Sequence, residues 1–178
     1  MYESFAIQIY LFWGAMMNRV LLVCIICSLI VMVACTLDET DVQLPENIPE
    51  FVREGDFAQI DWDKKAVTFN NNIVGNKDKS GVIGTDMPSI NNDQKWMWHL
   101  WGVEEPYSIE LSVIGFHKGT ETVHEILTDG WLTGLSGENN GADAHSPSTV
   151  NIPKSGDWAI LLYTNGELFD ILIYEITE

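Results

Sequence analysis

The sequence predicts an all-β domain, a β-sandwich of about seven to nine short strands, set behind a signal peptide and an acidic tether. Three observations predict it. Short apolar or alternating runs recur along residues 57–177, each bounded by Gly, Asn, Asp or Pro. No segment there holds a sustained 3.6-residue apolar period with helix caps. Near the C-terminus, Asn165-Gly166 separates two apolar runs, the strongest short-range signal of a hairpin, because a type I′ turn needs positive φ at both positions.

The chain starts with apolar sequence. Val20 to Ala34 reads VLLVCIICSLIVMVA and follows Asn18-Arg19, the pattern of a secretory signal peptide. The run falls short of the roughly 20 apolar residues that span a bilayer. It ends in Met32-Val33-Ala34-Cys35, which resembles the lipobox of bacterial lipoproteins with Met where Leu is usual. That resemblance implies cleavage before Cys35, lipidation of its sulfur and attachment to the outer face of the membrane, where two acyl chains give stable anchoring. Residues 1–34 are therefore read as signal peptide. Within them, 1–16 read as an over-extended start, with Met16 or Met17 as initiator; the rival is a true span from about Phe5 to Ala34. Cys24 and Cys27 form a C-x-x-C inside the apolar run and would leave with it. No cysteine follows Cys35, so the domain has no internal disulfide.

Residues 35–49 read as the lipidated cysteine and a flexible tether, since TLDETDVQLPENIP is acidic, carries two prolines and lacks periodicity. Residues 50–178 form the expected sandwich. Its strands are expected at 57–60, 66–69, 81–83, 95–102, 107–117, 123–127, 149–152, 157–164 and 167–177. In the fifth, Tyr107, Ile109, Leu111 and Val113 alternate with polar residues and should face inward. In the last hairpin, a two-residue loop pairs Thr164 with Glu167, Leu162 with Phe169, Ile160 with Ile171 and Trp158 with Ile173. Asp170 then marks the opposite face as the wet one.

Composition excludes some functions. The formal net charge is -17, and only nine residues are Lys or Arg. Nucleic-acid binding rests on cations that neutralise phosphates, so it is not expected. Attachment to an anionic membrane by charge alone is disfavoured for the same reason.

The candidate site residues are weighed against packing. Trp96 and Trp98 share one face of a strand and are expected in the core; Trp101 faces the other way. Trp101 and Trp131 lie beside glycine-rich loops and are the aromatic candidates for stacking on a ligand. Asp143, expected to bond its own backbone as an Asx-turn, and His145, expected to pack in the same loop, complete the ligand-binding set. His99, His117, His124 and His145 lack tight ligand spacing, so no metal site is assigned, although His99 and His117 could meet across strands. The oxygen-rich stretches Gly137–Asp143 and Asp61-Trp62-Asp63 are read as turns, with calcium as the alternative cofactor. There is no G-x-S-x-G elbow and no free cysteine in the mature chain, so no catalytic residue is assigned and no enzyme is expected.

A family resemblance covers roughly Gly84 to Ile176. Trp96-Met97-Trp98-His99-Leu100-Trp101-Gly102, Gly141-Ala142-Asp143-Ala144-His145, Pro147-Ser148, Ile152-Pro153-Lys154-Ser155-Gly156-Asp157-Trp158 and the hairpin ending in Leu168-Phe169 resemble a domain-of-unknown-function family of secreted lipoproteins from spore-forming Gram-positive bacteria. The resemblance implies an immunoglobulin-like sandwich and no assigned activity. The expected function is a cell-envelope lipoprotein with an extracellular binding or structural module. Its expected partners are the membrane, through Cys35, and a cell-wall component or surface protein. The alternatives are a carbohydrate-binding module, which needs two coplanar exposed indoles, and a calcium-stabilised surface domain.

Overall fold

In a computed structural model, residues 42–84 and 90–177 are described. The signal segment, Cys35 and the stretch to residue 41 lie outside them. One helical turn, α1 (Glu54–Phe57), precedes ten strands: β1 (Val67–Phe69), β2 (Ile73–Asn76), β3 (Ser80–Gly84), β4 (Gln94–Leu100), β5 (Glu110–His117), β6 (Thr122–Glu125), β7 (Leu132–Gly134), β8 (Ala144–Val150), β9 (Gly156–Thr164) and β10 (Glu167–Ile176).

The strands form two antiparallel five-stranded sheets. One runs β1-β2-β3-β4-β8; the other runs β10-β9-β5-β6, with β7 also on β5. The molecule is an all-β sandwich, as the sequence predicts. Alternation puts Trp96, Trp98 and Leu100 of β4 against Leu111, Val113, Trp158, Ile160 and Leu162 of β5 and β9 in the space between the sheets. Trp96, Trp98 and Trp158 are fully buried there. The Trp98 indole donates to Ser148 Oγ at 2.7 Å, and that of Trp158 to the Lys154 carbonyl at 3.0 Å.

The second sheet is covered on both faces. Its outer face buries Ile114, Phe116, Ala159, Leu161 and Tyr163 beneath residues 42–62, with Val42, Val52 and Phe57 buried in the same cluster. Phe57 packs on Phe116 with ring centroids 5.0 Å apart, and Tyr163 donates to Asp56 Oδ2 at 3.0 Å. Residues 42–49, which composition alone reads as linker, thus lie on the sheet as a strap. Residues 57–60, expected as a strand, are the end of α1 and the turn after it. The half-buried reading of β5 is corrected too: Leu111 and Val113 do face inward, but Ser112, Ile114 and Phe116 are buried on the other side. Tyr107 lies in a 3₁₀ turn before the strand and is 82% exposed.

The C-terminal hairpin carries the largest correction. Thr164 pairs with Glu167 around the Asn165-Gly166 turn, whose φ values are +49° and +82°. Beyond Leu168↔Tyr163 the register slips, because Phe169 is an extra, bulged residue. Leu162 then faces Asp170, Leu161 faces Ile171, and Trp158 faces Tyr174. The Trp158 face is the core as expected, but its partners on β10 are Leu172 and Tyr174. Asp170 is not a marker of the wet face. Its carboxylate accepts from Asn76 Nδ2 at 2.9 and 3.0 Å and from Ser80 Oγ at 2.5 Å. Tyr174 reaches the same sheet, donating to the Val74 carbonyl at 2.9 Å.

Both seams between the sheets are stitched. On one side Ala66 N donates to the Ile173 carbonyl at 2.9 Å. On the other, Leu127 bridges Val150 and Ser136 bridges His145.

Candidate functional site

Three of the four proposed ligand residues meet at one end of the sandwich. β4 and β8 pair so that His99 lies opposite His145. β4 ends at Leu100, and Trp101 follows on the outer side. A tight turn closes the facing loop: Asn139 and Ala142 exchange backbone hydrogen bonds of 3.1 and 2.9 Å, and Asn140 and Gly141 sit at φ +49° and +83°. This is a second Asn-Gly turn of the type I′ kind. The half-buried Trp101 donates its indole N–H to the Gly141 carbonyl at 2.7 Å. Asp143 Oδ2 accepts from Gly102 N at 2.6 Å, across the loop pair. It does not cap its own backbone, which corrects the Asx-turn reading. His145 bonds the Gly137 carbonyl through Nδ1 at 2.7 Å, in keeping with a loop-packing role.

His99 completes this end and is fully buried. Its Nδ1 lies 3.0 Å from the Met97 carbonyl and carries a proton; its Nε2 lies between the Asn140 amide nitrogen at 3.1 Å and the Asn139 side-chain oxygen at 3.2 Å. Burial, above all, holds its pKa below the usual imidazole value. The ring stacks near Trp101, with centroids 6.4 Å apart. Residues 138–143 enclose an open hollow of about 440 Å³. The Asp143 carboxylate and the Asn139 side-chain oxygen already accept hydrogen bonds, the latter from Asn140 Nδ2 at 2.6 Å. Among the described residues no three His, Cys, Asp or Glu side chains gather as metal ligands.

Trp131 is not part of this site. It is buried on the outer face of the second sheet, and its indole nitrogen has no partner among the described residues. His99 and His117 do not meet either. His117 lies opposite Thr122 instead, and its ring and that of His124 both pack on Trp158, with centroids at 4.9 and 5.1 Å. There the sequence reading missed a hydroxyl–imidazole chain. His117 Nε2 donates to the Ser155 carbonyl at 3.0 Å, so Nδ1 accepts from Thr120 Oγ at 2.8 Å. Thr120 meets Thr122, and Thr122 meets His124 Nε2 at 2.7 Å. A base with a hydroxyl and an orienting carbonyl is the outline of a nucleophile pair. Here it lies on a surface turn, and neither the loop hollow nor the β10 hollow described below includes any of its residues. The threonine and histidine positions alternate along β6, which is the only signal the sequence offered.

The coplanar, exposed indole pair that a carbohydrate module needs is not present among the described residues. Trp96, Trp98, Trp131 and Trp158 are buried, while Trp62 and Trp101 are half-buried and separately placed.

No curated protein matches the chain. A solved Bacillus anthracis structure, provisionally described as a lipoprotein, is similar in fold: 21% identity, TM-score 0.56, covering 74% of this chain and 97% of that one. Residues 51–174 match the family described as a domain of unknown function, DUF4871, and the chain belongs to that family.

Proposed function

We propose that the protein is an exported envelope lipoprotein, held on the outer face of the membrane through Cys35, whose immunoglobulin-like sandwich is a non-catalytic binding module. The observation that carries the reading is the spacing at the N-terminus. The lipobox-like Met32-Val33-Ala34-Cys35 ends seven residues before Val42, whose side chain is 2% exposed and already packed in the body. A signal that ends just where a folded body begins is what cleavage and anchoring require. The description of the Bacillus anthracis protein as a lipoprotein supports the same reading. The end built from Trp101, Asp143 and His145, over the buried His99, is the surface offered to a wall component or a surface protein. Loops on a rigid sandwich commonly carry such contacts.

Metabolic labelling with a fatty acid tests the anchor. Wild type incorporates label, and Cys35→Ala loses both label and membrane retention. An unlabelled wild type that still fractionates with membranes sinks the proposal and points to a true span.

A further inference from the structure

The bulge at Phe169 has a second effect. In an unbroken strand, outward side chains recur every two residues. Here Leu168 and Ile171 are the consecutive side chains packed beneath the strap, while Phe169 turns toward the sandwich core. The widened interval leaves an open hollow of about 320 Å³ against β10, bordered by the turn at residues 59–64. Leu168, Ile171 and Ile173 supply its apolar floor, with Phe169 and Asp170 beside them; Gln59, Asp61 and Lys64 supply its rim. Small-molecule sites have this make-up, an apolar floor with a few placed polar groups, and this order of size.

The rim charges are the informative part. Asp61 and Lys64 are fixed on one turn, with Lys64 N donating to the Asp61 carbonyl at 3.1 Å. The Asp61 carboxylate is oriented by the Asp63 N–H at 3.1 Å. Yet the two side chains do not close on each other; the ion pairs among the described residues are Lys65–Asp157 and Lys118–Asp157. Asp170 does not compete, because its carboxylate is turned inward onto Asn76 and Ser80. An ammonium and a carboxylate that share a rim without pairing are complementary to a ligand carrying the opposite two charges.

We propose that this hollow binds an apolar free amino acid, its carboxylate on Lys64, its ammonium on Asp61 and its side chain on Leu168 and Ile171. The site is independent of how the protein is anchored.

The test is a titration of the full chain in non-ionic detergent, read by the methyl NMR signals of Leu168 and Ile171. The probes are L-leucine and L-phenylalanine, the one-charge analogues 4-methylpentanoate and 3-methylbutylamine, and a short-chain phosphatidylethanolamine. The expected result is saturable binding of at least one amino acid below about 5 mM. Loss of about tenfold or more is expected for each one-charge analogue and for Lys64→Gln and Asp61→Asn. Both substituted side chains are exposed, and asparagine keeps the oxygen that accepts the Asp63 N–H, so the turn survives. No saturation by either amino acid overturns the proposal. So does equal binding of an analogue lacking one charge, or unchanged binding in both variants. Binding of the phospholipid alone overturns the amino-acid assignment.

Discussion

Asp170 shows how one residue can invert a face. In the sequence it is the charged position of an otherwise apolar strand, and charge ordinarily marks the wet side. The bulge one residue earlier rotates it between the sheets, where Asn76 and Ser80, both buried, direct three hydrogen bonds at it. Removing the acceptor strands the Ser80 hydroxyl and one amide proton of Asn76, whose other proton keeps the Ile171 carbonyl at 2.9 Å; each stranded donor costs about 1–3 kcal/mol. Asp170→Ala is therefore expected to lower unfolding free energy by about 3 kcal/mol, measured by urea denaturation. Asp170→Asn should cost less, since it keeps an accepting oxygen. A cost for Asp170→Ala under about 0.5 kcal/mol, the level of an ordinary surface change, would refute this account. Trp131 teaches the converse. Its neighbourhood of glycines reads as an exposed loop, yet the strap buries it, and no residue near Trp131 in sequence announces the strap.

The paired Asn-Gly turns allow a controlled comparison between two elements of the same type. Gly141 and Gly166 both sit in the left-handed region, at φ +83° and +82°. A Cβ on Gly141 would meet nothing within 4 Å, whereas one on Gly166 would lie 3.3 Å from Phe51 of the strap. Alanine at either site costs the backbone about 1 kcal/mol. Gly166→Ala is expected to cost more, because the strap must also give way; equal melting temperatures for the two variants would show that Phe51 yields freely. At this scale the sequence was legible wherever local chemistry decides. The Asn165-Gly166 turn, β4, β5 and β9 follow from turn residues and alternation. The strands β2, β7 and most of β8 do not. Ile73–Asn76 and Leu132–Gly134 are too short to show a period, and β8 contains Pro147, a strand breaker except at an edge. β8 is an edge strand, and its pairing with seven residues of β4 holds it in place. The candidate site was half legible. Trp101, Asp143 and His145 were within reach because they flank recognisable turns. His99 was not, since only tertiary pairing places it under Asn140.

For the whole molecule, stability should fall as the solution turns mildly acidic. Burial is the leading cause of the lowered pKa of both His99 and His124. The unfolded chain therefore binds protons first as pH drops below about 6.5, and folding free energy is lost from there until the folded-state values are passed. Asp157 contributes with the same sign, through a lowered carboxyl pKa. Lys65 and Lys118 hold its pKa down, so its contribution is present above the usual carboxylate value and lost as pH falls through its folded value. With all three side chains partly exposed, that contribution is below about 1 kcal/mol. Urea midpoints at pH 7.5 and 5.5 should differ in wild type, and His99→Gln should narrow the difference; a flat wild-type profile would contradict the neutral, buried His99. The stitching of the sheets also dictates when the body can exist at all. Ala66, Val74, Asn76 and Ser80 all find their partners on β10, some 90 to 107 residues further along the chain. Loops that long close slowly. As the polypeptide emerges, β1 to β4 can pair with one another, yet the buried side chains of Asn76 and Ser80 gain their shared acceptor only when β10 arrives. The sandwich therefore closes only once nearly the whole chain is present, and a chain cut short before Asp170 leaves its first sheet with buried donors facing nothing.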